Sequence, residues 1–81
     1  MNLKDFTNSL SPAQRVQFLD LAGTTRNYVW QITGGHRRPS LRLLYSMVAA
    51  SKTMFPKGRR RWLTIPHMLA ECDAAAQRHE S

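Results

Sequence analysis

Arg26, Asn27 and Gln31 are the residues in this 81-residue chain whose side chains best suit two-point hydrogen bonding. A guanidinium can donate twice to O6 and N7 of guanine. A primary amide can donate to N7 and accept from N6 of adenine in the same way. Asn27 and Gln31 lie four residues apart, so on a helix they share a face, with Arg26 beside them. Thr25 precedes them as a hydroxyl of N-cap type. The segment therefore has the chemistry to read base edges in a duplex, provided a helix presents it.

Other side chains fit a phosphate or sugar role around that strip. Gln14 and Arg15 fall at the start of a preceding helix, where the positive dipole end favours anions. Tyr28 and Trp30 would flank the strip, stacking on sugars or donating to phosphate. His36, Arg37, Arg38 and Ser40 follow it in a polar loop. Lys57, Arg59, Arg60 and Arg61 form a later basic run, which reads either as a solvated loop or as a non-specific phosphate contact. Trp30 also has other readings, as the edge of the core or part of a dimer contact, and Tyr28 can pack beside Phe18.

The elements that would position these groups follow from spacing. Leu3, Phe6 and Leu10 suggest a first helix over roughly residues 2–9. Ser11-Pro12 is a helix start, with serine as N-cap and proline in the first turn. The helix that follows carries Val16, Phe18, Leu19, Leu21 and Ala22, expected on its inner side, and Gly23 ends it in a left-handed conformation. Thr25 then caps a third helix, held from inside by Val29 and Ile32 and closed at Gly34-Gly35. Leu41, Leu44, Met47 and Val48 mark a fourth helix. Lys52 to Arg61, with Pro56 and Gly58, reads as a loop or short turn. A last helix over about 65–78 places Met68, Leu69, Cys72, Ala75 and Ala76 on one stripe. No strand, repeat or second domain is visible. The expectation is one all-α domain spanning 1–81, a small bundle of about five helices.

Charge agrees with an anionic partner. The net charge is +7. Ten Lys or Arg residues and one acid, Asp20, lie between Arg15 and Arg61, whereas Glu71, Asp73 and Glu80 make the tail mildly acidic. The bases sit mostly in loops and beside turns rather than on a basic amphipathic helix, which favours nucleic acid over a membrane. The single cysteine, Cys72, excludes an internal disulfide and fits a reducing cytoplasm. No apolar run approaches the ~20 residues of a bilayer span, and the first ten residues lack a signal-peptide block. No nucleophile stands with a base, no acid pair suggests a cleft, and Gly34-Gly35 follows a helix rather than a strand, so no enzyme is expected. His36, His67, Cys72 and His79 match no zinc spacing. Neither a metal, a cofactor nor a small-molecule ligand is expected.

The segment FLDLAGTTRNYVWQITGGHRRPS (18–40) resembles the Cro/CI-type (XRE-like) helix-turn-helix family, whose pattern runs roughly L-A-x-x-x-G-V-S-x-x-x-I-S-x-x-E-x-G-x-R-x-P-S. Gly23, Thr25, Val29, Gly35, Arg37 or Arg38, Pro39 and Ser40 carry the match. Leu19 stands where the family prefers Ala, and Thr33 near where it often has Glu. The front end from Leu3 to about Ala50 is especially similar to the YdaS-type, Cro-like subset of prophages, while the chain after Lys52 matches poorly.

The resemblance implies a lambda-repressor-like DNA-binding domain with its motif at about 12–35. It implies Thr25, Arg26, Asn27 and Gln31 on base edges, and a phage or prophage repressor acting on a palindromic operator. A homodimer is expected on half-sites about 34 Å apart, joined through Trp62, Leu63, Ile65 and Met68. Two rival readings are the DNA-binding antitoxin of a toxin–antitoxin pair, whose acidic last helix would bind the toxin, and a helical protein–protein adaptor.

Overall fold

Five α-helices and one short 3-10 turn form the computed structural model, which describes residues 1–80, with side chains described through Gln77. The helices are α1 (Leu3–Asn8), α2 (Pro12–Ala22), α3 (Arg26–Thr33), α4 (Leu41–Met54) and α5 (Ile65–Glu80), and the 3-10 turn spans Arg59–Arg61. No strand occurs among the described residues. The fold is a small all-α bundle.

Local signals start the helices. Asn2 caps α1, its side chain accepting the Asp5 N–H at 2.9 Å. Ser11 and Gln14 form a reciprocal capping box on α2, with Pro12 as its first residue. Thr25 Oγ1 accepts the Tyr28 N–H at the start of α3, and Ser40 Oγ accepts the Leu43 N–H at the start of α4. Gly23 ends α2 at φ +68°, and its N–H and that of Thr24 return to the last carbonyls of the helix.

The core runs through every helix. Phe6 and Phe18 meet edge to face with centroids 4.9 Å apart. Ala22 of α2, Val29 and Ile32 of α3, Leu44 and Met47 of α4, and Met68 of α5 complete it. Helix α2 packs chiefly on α4, and α5 touches α1, α3 and α4. At that junction Gly35, at φ +76°, lies directly against the backbone of Ala75 and Ala76.

Several sequence expectations need correction. Val16, 68% exposed, and Leu21 are on the outside of α2, not its inner side. Leu41 is also exposed, because Leu44 and Met47 define the buried face of α4. Helix α4 extends to Met54, two residues past the expected break at Lys52, and stops where Pro56 drives Phe55 out of the helical region (φ −130°, ψ 66°). Leu63 and Met68, expected on a dimer surface, are fully buried, so neither can meet a partner. Leu63 is held by a buried serine: Ser51 Oγ accepts the Leu63 N–H at 3.1 Å and donates to the Val48 carbonyl at 2.7 Å. Cys72 is buried, and its thiol donates to the Arg37 carbonyl at 3.5 Å. Burial raises the thiol pKa above its ordinary value; Asp73 adds to this and Arg38 opposes it. No described helix is long and apolar enough to cross a membrane.

Candidate nucleic-acid interface

Helix α3 is anchored on one side only. Val29 and Ile32 bury against the core, which turns the opposite face outward. At about 100° per residue, Asn27 lies farthest from the buried side, with Arg26 and Trp30 to its one flank and Gln31 and Tyr28 to the other. Thr25, Arg26 and Asn27 are exposed at the N-terminal end; Gln31 is half-buried. The Gln31 carbonyl accepts the N–H groups of His36 and Arg37, which folds the following loop back on the helix.

The two flanks differ. On the Arg26–Trp30 flank, α3 faces α1 and the start of α2 across an open groove of about 740 Å³. Arg15, Arg26 and His36 line it, together with Lys4, Val16 and Trp30, and no acid contributes to its lining. The Arg15 Nε donates to the Thr7 carbonyl at 3.0 Å, which ties this cation to the end of α1. The Trp30 indole is 63% exposed and stacks on the His36 ring, centroids 5.5 Å apart and planes 21° from parallel.

On the other flank, Arg37 places its guanidinium 5.1 Å from the centroid of the half-buried Tyr28 ring. Tyr28 packs at the edge of the core there. Arg38 turns away to α5, where it donates to Asp73 Oδ1 at 2.9 Å. Gln14 and Ser40 are engaged as caps through their side-chain oxygens.

The structure thus brings Arg15, Arg26, Trp30 and His36 to one groove and sets Tyr28 with Arg37 on the far side of α3. It does not bring the later basic run into that groove. Lys57, Arg59 and Arg60 are exposed at the turn between α4 and α5, and Arg61 stacks over the Phe55 ring at 3.8 Å. Lys4 was not expected at the site; it lies on α1, outside any motif, and only the packing of α1 beside α2 reveals it. Arg42 was also missed. It lines a shallow depression with Gly23 and Ser40, beside the α2–α3 turn.

Among the described residues, no three His, Cys, Asp or Glu side chains gather where a metal ion could be shared. His79 lies outside the described side chains, as do Arg78 and Glu80. Comparison with known proteins gives no match to a family model, a curated protein or a solved structure.

Proposed function

We propose that this chain is a sequence-specific, double-stranded DNA-binding regulator, a Cro-like repressor that lays α3 in the major groove of a palindromic operator. One observation carries the reading. Arg26 and Asn27 stand exposed at the free end of a helix whose opposite side is fixed by Val29 and Ile32. Their chemistry matches guanine and adenine edges, and a helix of this width fits the major groove.

The charge distribution supports the same reading. Arg15 and Lys4 line one flank and Arg37 lies on the other, so cations are available to phosphates on either side of an inserted α3. Phosphate contacts then set register, and α3 reads sequence. A homodimer on two half-sites doubles the few base contacts that one module offers. Repression follows from occupying a promoter. Such a protein works in the cytoplasm, bound to the nucleoid.

Selection of bound duplexes from a random pool tests this directly. The expected result is an enriched site with two-fold symmetry and half-sites one helical turn apart, bound by a species of twice the chain mass in sedimentation. Lack of any sequence preference in the selection would overturn the reading and, where no duplex is retained, favour a protein–protein adaptor.

A further inference from the structure

Val16 and Trp30 are large apolar side chains left 68% and 63% exposed, and both line the groove between α2 and α3. The same groove carries Lys4, Arg15 and Arg26 and no acid. Water bears on the two apolar surfaces, while the cations around them select a polyanion. An occupant must therefore present apolar area within a dense negative charge.

Duplex DNA meets that condition in its major groove at one chemical group, the C5 methyl of thymine. The Trp30 ring stacks on His36, another residue of the groove lining. Arg26 and Trp30 are separated by four residues, about 6 Å along the helix axis, or roughly two base-pair steps.

Resting on the DNA-binding reading above, we propose that Trp30 and Val16 form an apolar ledge for a thymine methyl. The chain then requires a T·A pair within about two steps of the G·C pair read by Arg26. The ledge is a specificity determinant distinct from the hydrogen-bonding strip. Trp30 acts by apolar contact with a base, not by stacking on sugar or donating to phosphate.

The test uses the full chain and a site enriched from random duplexes, with each thymine replaced in turn by deoxyuridine. Deoxyuridine keeps every hydrogen bond and removes only the methyl. One position per half-site should lose about fourfold in affinity, the effect of one buried methyl group. Trp30→Ala, checked for unchanged helicity by circular dichroism, should bind the thymine and deoxyuridine sites equally at that position. Val16→Ser should shrink the difference without removing it. An enriched site that tolerates deoxyuridine everywhere would overturn the ledge while leaving DNA recognition intact. Failure to enrich any site would overturn both.

Discussion

Arg38 and Asp73 form an ion pair 2.9 Å long that ties the basic loop after α3 to the C-terminal helix. Their side chains are 67% and 50% exposed, so the pair adds little to stability, about 0–1 kcal/mol. Its consequence is electrostatic: a cation expected to grip phosphate already has a carboxylate beside it. Under the proposed function, Asp73→Asn should tighten binding to any duplex and steepen the dependence of log K on log salt by up to about one unit. Arg38→Ala should then cost affinity more in the Asp73→Asn background than in the wild type. No loss in either background would show that Arg38 does not meet DNA, and equal losses in both would show that Asp73 does not restrain it.

Arg26 should behave differently from Arg38. It is exposed on the outer side of α3 with no acid among its groove neighbours. Arg26→Ala should cost about 1–3 kcal/mol on the selected site and much less on random duplex, relaxing preference at one base pair. If competition assays show equal losses on both, Arg26 contacts backbone rather than base.

The sequence made the helix boundaries of the front half readable because its caps are local chemistry. Ser11, Thr25 and Ser40 need only their own next three residues to act; Ser11 and Thr25 cap as expected, and Ser40, read from the sequence only as a phosphate contact, caps α4. Inward faces were harder where apolar residues surround a helix. On α2, Val16 lies roughly 160° around the axis from Phe18, so both cannot be inside, and nothing local says which wins. The α4 partner chose Phe18 and Ala22. Ser51 shows the reverse case. Its position continues the Leu44–Met47 periodicity, so its place on the buried face was legible, but its partner Leu63, twelve residues on, was not. Likewise the groove depends on α1 meeting α2, a tertiary event that gives Lys4 its place at the site.

Gly23 and Gly35 share a left-handed backbone, with φ +68° and +76°, yet they should tolerate alanine very differently. A Cβ at Gly23 meets nothing within 4 Å, so Gly23→Ala should cost only the conformational penalty, about 1–2 kcal/mol. A Cβ at Gly35 would overlap Ala76 N and lie 2.7 Å from the Ala75 carbonyl carbon, both backbone atoms that cannot rotate aside. Gly35→Ala should therefore add a clash to the same penalty, for a total of about 2–5 kcal/mol. It should also loosen α5, exposing Cys72 to thiol reagents. Urea unfolding midpoints and the rate of Cys72 labelling check both statements. Similar losses at the two glycines would mean that α5 does not rest on Gly35.

Glu71 links the last helix to the first. Its Oε1 accepts the Leu3 N–H at 3.0 Å and its Oε2 the Lys4 N–H at 3.1 Å, so a side chain of α5 satisfies the open end of α1. Burial raises the carboxyl pKa above its ordinary value; the Lys4 and Leu3 N–H groups pull it down without cancelling the effect. A raised folded-state value means that the folded chain binds this proton more tightly than the unfolded chain does. The stability it contributes is fully present below the unfolded-state value and is lost as pH rises through the folded-state value. The melting temperature of the wild type relative to Glu71→Gln should therefore fall as pH rises through the ordinary carboxylate range and above it. The glutamine variant cannot titrate at this position, so the other carboxylates cancel in the comparison. A gap that widens with pH would mean that the two N–H bonds outweigh burial and that the ionised form is the one the fold prefers.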